Sequence, residues 1–228
     1  MGRCKVDKQT LIDMIDYTLL KPTATKDDLT VFCNETIEHG FKAVFVNPYY
    51  VAHAHGLLAD HGIKVGAPIG FSLGGATTHT KVEETKEAIK NGAEEIDMLV
   101  NLGALKSGEF DVVKHDISEV VKASHGLTTK VIIETALLTE EEKITACKII
   151  MEAGADFVKT ATGFNGGGAT VEDVKLLRSV VGSDFGVKAA GGVRTFEDAV
   201  NIVGAGANRI GTSGAIAIIS GETSKASY

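Results

Sequence analysis

A closed barrel of eight parallel strands, the (β/α)8 class of α/β fold, is predicted from three observations. Short β-branched or apolar runs alternate with amphipathic stretches along all 228 residues. Four returns from helix to strand share one step: His39-Gly40-Phe41, Asn91-Gly92-Ala93, Ala153-Gly154-Ala155 and Ala205-Gly206-Ala207. Glycine just past a helix takes the left-handed conformation that other side chains resist, so each step marks an α-to-β turn. Strand–helix alternation implies parallel strands joined by right-handed crossovers. An open doubly wound sheet would satisfy this too. Eight strand-length runs, with no G-x-G-x-x-G behind an early strand, favour the barrel.

The elements follow in order. Residues 15–20 (IDYTLL) form the first and weakest strand, and a helical pattern covers 25–40. Strands KAVFVN (42–47) and IKVGAPIG (63–70) precede a helix over 78–92. Strands EIDMLVN (95–101) and KVIIET (130–135) lead to a helix over 139–154. Strands DFVKTAT (156–162) and GVKAAG (186–191), a helix over 195–206 and strand NRIGTS (208–213) complete the set. Several helical patterns open on Thr followed by acidic residues, the chemistry of an N-cap in a favourable helix dipole. Composition does not shift along the chain, so residues 1–228 are expected to be one catalytic domain. The small, polar segment 220–228 is expected to be a mobile tail.

Lys and Arg number 23 against 30 Asp and Glu, a net charge of −7, and 44% of residues are hydrophobic. Disorder is excluded by that apolar content. The acidic balance argues against nucleic acid or an anionic membrane as partner. Cys4, Cys33 and Cys147 are odd in number and widely spaced, fitting neither a disulfide framework nor a zinc pattern. The opening MGRCKVDKQT has no apolar run behind its basic residues, and no run reaches the length of a bilayer span. A soluble cytoplasmic protein is expected.

Strands buried on both faces should be nearly continuous apolar runs. Three here carry an internal charge: Asp97 in EIDMLVN, Lys159 in DFVKTAT and Lys188 in GVKAAG. One such charge could be solvated at a strand end; three in one barrel point to a site. Lys159 and Lys188 fall at matching places on neighbouring strands, about 4.8 Å apart. Desolvation and mutual repulsion both push a lysine pKa down, and a neutral lysine can form an imine with a carbonyl. Asp97 could hold the second lysine charged and relay protons. Spacing alone leaves open which lysine is the nucleophile.

Glycine-rich turns follow the late strands: residues 162–168 (TGFNGGG), Gly191-Gly192-Val193, and Gly211-Thr212-Ser213-Gly214. Glycine lets backbone N–H groups converge on an anion, and late βα loops commonly bind phosphate in barrels. A phosphorylated substrate is expected.

These residues resemble the motifs of the deoxyribose-phosphate aldolases. The resemblance is carried by Lys159-Thr160-Ala161-Thr162-Gly163-Phe164, by the stretch from Val187-Lys188 through Gly191-Gly192-Val193-Arg194-Thr195, and by Glu95-Ile96-Asp97. IDYTLL, KVIIET, Arg209-Ile210-Gly211-Thr212-Ser213 and the terminal Ser227-Tyr228 match as well. The resemblance implies a class I aldolase, without metal or cofactor, that reversibly cleaves 2-deoxy-D-ribose 5-phosphate to acetaldehyde and D-glyceraldehyde 3-phosphate. Lys159 takes the Schiff-base position, and Lys188 perturbs it and works with Asp97 in proton relay. Asp16 matches a polar residue near the substrate hydroxyls. Gly163, Gly191, Gly192 and Ser213 match phosphate-loop positions. Tyr228 is expected to assist protonation of the enamine carbon. The partners implied are a phosphosugar and aldehydes, and a homodimer is expected from the resemblance alone.

The chain departs from the family pattern at Phe45 (usually Cys), Ala161 (commonly Ser), Ser72 (commonly Pro) and Gly214 (a second Ser). Phe45 either removes a thiol open to alkylation by unsaturated aldehydes or fills the strand interior. His53 and His55 stand two apart in a helical stretch and point to different faces, so a solvated face outweighs a metal site. Glu134 reads equally as catalytic or as a structural carboxylate. The alternatives kept open are another phosphosugar isomerase or a metal-dependent aldolase on the same barrel, and a non-catalytic phosphometabolite-binding barrel.

Overall fold

The computed structural model describes residues 6–225. After α1 (Lys8–Met14) come eight strands: β1 (Ile15–Leu19), β2 (Ala43–Val46), β3 (Lys64–Ile69), β4 (Glu95–Leu99), β5 (Thr128–Ile132), β6 (Phe157–Lys159), β7 (Gly186–Ala190) and β8 (Arg209–Thr212). Each pairs in parallel with the next, and β8 returns to β1, closing the barrel. The weak first run is a full strand because it has two partners, with Asp16 opposite Ala43 on one side and Gly211 on the other.

The outer ring is α2 (Lys26–His39), α3 (Val51–Leu58), α4 (Thr78–Lys90), α5 (Leu102–Lys106), α6 (Phe110–Ala123), α7 (Glu140–Glu152), α8 (Val171–Val181), α9 (Phe196–Gly204) and α10 (Ala215–Ile219). Thr25, Thr139 and Thr195 each cap a helix and complete a capping box with the acidic residue three positions on. The four glycines of the helix-to-strand turns all have positive φ, from 75° at Gly40 to 116° at Gly206. Outward strand residues such as Val158, Val187 and Ile96 are fully buried against the helices. Charges on the same strands must therefore point into the barrel.

Two expected strands end early. The regular ladder of the sixth stops at Lys159, and the fifth stops at Ile132. Thr162 N–H turns instead to the Glu134 carboxylate, which sits in a left-handed turn (φ 55°). Of the segment expected to trail as a tail, residues 220–225 are described. There Ser224 is buried, and its N–H donates to the Arg194 carbonyl at 2.8 Å. Tyr228 lies outside the described residues. Among those described, no helix is long and apolar enough to cross a membrane.

Candidate active site

The strand register brings the internal charges together. Lys159 is directly opposite Lys188, and Asp97 is opposite Lys130. Asp97 Oδ2 accepts from both Lys159 Nζ (2.8 Å) and Lys188 Nζ (2.6 Å), while Oδ1 accepts from Lys130 Nζ at 3.1 Å. One carboxylate thus serves three ammonium groups. Below it Lys130 donates to Glu95 at 2.5 Å. Lys188 makes a second ion pair with Asp16 Oδ2 at 2.5 Å, and Arg209 bonds both Asp16 and Glu95.

Inside the barrel the network sets Lys130, Lys159, Lys188 and Arg209 against Asp16, Glu95 and Asp97, four cations on three carboxylates, while the exposed Lys64 reaches Glu95 from outside at 3.9 Å. Burial alone would raise the Asp97 pKa, but Lys130, Lys159 and Lys188 outweigh it and hold the carboxyl well below the usual range. Asp16 is likewise held low: burial opposes this, and Lys188, Lys130 and Arg209 prevail. Burial would lower Lys130, but Asp97, Asp16 and Glu95 more than compensate and raise it. At Lys188 burial wins over Asp16 and Asp97, and its pKa falls to about 8. Access separates the paired lysines. The Lys188 side chain is fully buried, whereas Lys159 keeps 7% of its surface exposed at the end of β6. Of the two side chains, only that of Lys159 keeps surface open to solvent.

Phe45, from β2, forms the floor among these lysines. Its ring centroid lies 3.7 Å from Lys188 Nζ, 4.7 Å from Lys130 Nζ and 5.8 Å from Lys159 Nζ. The negative face of an aromatic ring attracts such cations. A Cβ at Gly66 on β3 would overlap that ring, so glycine there makes room for it. Phe45 is both packing and a contact of the charged network.

Beside the lysines lies a cavity of about 300 Å³ lined by the loops after β6, β7 and β8. Gly163, Gly191, Gly192 and Ser213, all predicted from the sequence, line it together with Gly167, Gly168, Arg194 and Ser224. A Cβ on Gly168 would stand 2.6 Å from the Gly191 carbonyl oxygen, so two glycine loops meet in the wall. Arg194 adds an exposed cation to a wall of backbone, which suits an anion.

Asp16, expected near the substrate hydroxyls, stands inside the barrel beside Lys188 and Arg209. Its carboxylate is fully buried and ion-paired with both. It supports the second lysine. Glu134 proves to be a tether for the loop after β6, accepting from Thr162 Oγ1 (2.6 Å) and Asn165 Nδ2 (2.9 Å). The same Asn165 nitrogen reaches the Ser72 carbonyl at 2.8 Å, linking the loops after β3 and β6. His53 Nε2 meets Thr30 Oγ1 at 3.1 Å, while the His55 ring packs where a Cβ on Gly92 would sit. The two histidines serve different neighbours.

Sequence reasoning gave no site role to Lys130, Glu95 or Arg209. Glu95 and Arg209 open their strands, and Lys130, central in β5, opens the run 130–135 read from the sequence, a place that reads as solvated. The period of two was the usable signal, since Glu95 shares its face with Asp97.

A reachable amine at the mouth of a barrel, with a buried partner lysine and an anion pocket alongside, defines a class: barrel aldolases. The DeoC/LacD family aldolase model matches residues 9–218, and the chain belongs to that family. It is 64% identical to deoxyribose-phosphate aldolase 2 of Oceanobacillus iheyensis, over 98% of this chain and 100% of that protein. It is 57% identical to the deoxyribose-phosphate aldolase of Thermococcus gammatolerans, over 91% of this chain and 94% of that protein. The crystal structure of a putative deoxyribose-phosphate aldolase from Coccidioides immitis superposes with a TM-score of 0.92 at 41% identity, covering 94% of this chain and 86% of the other. A tetrameric deoxyribose phosphate aldolase from Aeropyrum pernix gives 0.87 at 35% identity, covering 93% and 90%.

Proposed function

We propose that this chain is a deoxyribose-phosphate aldolase, reversibly cleaving 2-deoxy-D-ribose 5-phosphate to acetaldehyde and D-glyceraldehyde 3-phosphate. The observation that carries the reading is one Asp97 oxygen shared by two lysines, of which Lys159 alone is open to the mouth. With four cations on three carboxylates inside the barrel, removing one proton balances the charges there. Lys188, with its pKa lowered to about 8, gives up its own proton more readily than an ordinary lysine and, once neutral, can take the Lys159 proton along Asp97 Oδ2. Asp97 is too acidic to keep that proton itself.

The free Lys159 amine then adds to C1 of the open-chain sugar; Lys188 gives its proton to the departing hydroxyl, and loss of water leaves the protonated imine and a neutral Lys188. As the C3 hydroxyl loses its proton, the C2–C3 electron pair moves toward the imine nitrogen and that bond breaks. Glyceraldehyde 3-phosphate departs and an enamine remains. Protonation at C2, then hydrolysis, releases acetaldehyde and restores the amine. Lys188, held in place by Asp97, takes up the hydroxyl proton and returns one to C2, so protons balance over the cycle. The glycine-lined cavity holds the phosphate and fixes the sugar over Lys159.

Incubation with 2-deoxy-D-ribose 5-phosphate should release acetaldehyde and glyceraldehyde 3-phosphate in equal amounts. Isomerised sugar without acetaldehyde would favour the isomerase alternative, and binding without turnover the non-catalytic one. A homodimer, as the smallest assembly, and a cytoplasmic site of action complete this reading. The tetrameric Aeropyrum pernix relative supports self-association, and light scattering tests it.

A further inference from the structure

One wall of the anion cavity comes from outside the barrel loops. Ser224 stands five residues beyond α10, held by the hydrogen bond from its N–H to the Arg194 carbonyl. The residue is 6% exposed and lines the cavity with Thr212 and Ser213. A Cβ built on Gly214 would overlap Ser224 Oγ and Cβ, so one space serves both positions and only one side chain can fill it. The backbone does not demand glycine there. Gly214 has φ −104°, which any residue adopts. Space for Ser224 is the reason the structure gives for a glycine beside Ser213.

We propose that Ser224 is a phosphate-binding residue: its hydroxyl donates to a phosphate oxygen of the substrate, beside the N–H groups of the glycine loops. This rests on reading the cavity as the phosphate site of the proposed reaction. The loop after β8 lacks a hydroxyl at position 214, and the segment after α10 returns one to the same place. A hydroxyl suits the task, because it donates to phosphate without adding charge to a pocket that Arg194 already serves.

The test compares 2-deoxyribose 5-phosphate with unphosphorylated 2-deoxyribose in the wild type, Ser224→Ala and the exchange Gly214→Ser/Ser224→Gly. In Ser224→Ala the ratio of the two kcat/KM values should fall roughly 10-fold, the size of one hydrogen bond to a charged group. The exchange variant should recover most of that ratio, since the hydroxyl is restored from the other side of the shared space. An unchanged ratio in Ser224→Ala, with both substrates slowed alike, would make Ser224 a packing residue and overturn the proposal. Failure of the wild type to turn over either substrate would instead overturn the functional reading. Calorimetric titration with inorganic phosphate then decides Ser224 separately, as weaker binding in Ser224→Ala supports the proposal and equal binding rejects it.

Discussion

Two of the buried groups of charged side chains among the described residues differ in balance and in access. Where α4 crosses α6, Lys81 Nζ pairs with Asp116 at 2.5 Å and donates to the Leu99 carbonyl at 3.0 Å, while Thr78 donates to the other Asp116 oxygen. One cation meets one anion, both are out of solvent, and their remaining bonding capacity goes to nearby polar groups. Inside the barrel, four cations share three carboxylates, one aspartate oxygen serves two lysines, and Lys159 reaches the mouth. A closed, balanced pair supports architecture. An unbalanced set with one reachable member can exchange a proton and attack a substrate.

Removing one anion from each group should separate them most sharply. Asp97→Asn takes away the shared acceptor and should lower kcat by about 10²-fold or more, the range of general acid–base contributions. Asp116→Asn leaves Lys81 buried without its counter-charge and should cost about 3–5 kcal/mol of stability, with kcat within a few-fold in protein that remains folded. Denaturant titration and steady-state kinetics on both variants check this; comparable kcat losses would erase the contrast.

Next in size is replacement of a whole pair. Lys81→Met with Asp116→Leu exchanges a buried ion pair for apolar side chains of similar bulk, a change often neutral or stabilising by about 1–4 kcal/mol. Melting curves should show the double variant at least as stable as the wild type, with turnover kept. A collapse of activity would mean that this pair also serves the site.

The pH dependence should differ as well. Imine formation requires a proton acceptor for Lys159, and Lys188 becomes one as pH rises through about 8. Single-turnover trapping on Lys159 should therefore rise with pH and level off above an inflection near 8, and Lys188→Met should move or abolish that inflection. For stability the sign follows from proton counts. Lys188 releases its proton at lower pH when folded than when unfolded, so its buried charge is unfavourable below about 8 and is relieved toward 10.5. Lys130, raised instead, stabilises the fold below 10.5, and that contribution is lost as pH climbs through its higher folded value.

The smallest effect concerns the floor. Phe45→Leu removes the ring beneath Lys188 and should cost about 1–3 kcal/mol through lost packing and lost cation–π attraction. Because the ring favours the ammonium form, the trapping inflection should shift to lower pH. A shift upward would mean that the ring acts chiefly by keeping water out.

Much of this was readable in the chain. The helix-to-strand glycines, the eight runs and the pairing of Lys159 with Lys188 follow from local periodicity and turn chemistry, and all depend on short stretches. What escaped depends on closure. Asp16 and Arg209 are 193 residues apart and meet only because β8 returns to β1. That meeting, which sets Asp16 between Lys188 and Arg209, is not visible in any short stretch of the chain. Lys81 escaped because a lysine on an amphipathic helix reads as solvent-facing until the neighbouring helix supplies Asp116. Gly214 looked like a missing serine; its partner stands ten residues further on and crosses back only in three dimensions.

The central claim is that the reachable lysine, and not its fully buried neighbour, forms the covalent bond. Borohydride reduction in the presence of acetaldehyde, followed by peptide mass spectrometry, tests it directly. A single added ethyl group on Lys159, absent from Lys159→Ala, is the predicted result. An adduct on Lys188, or none in an enzyme that still turns over, would contradict it.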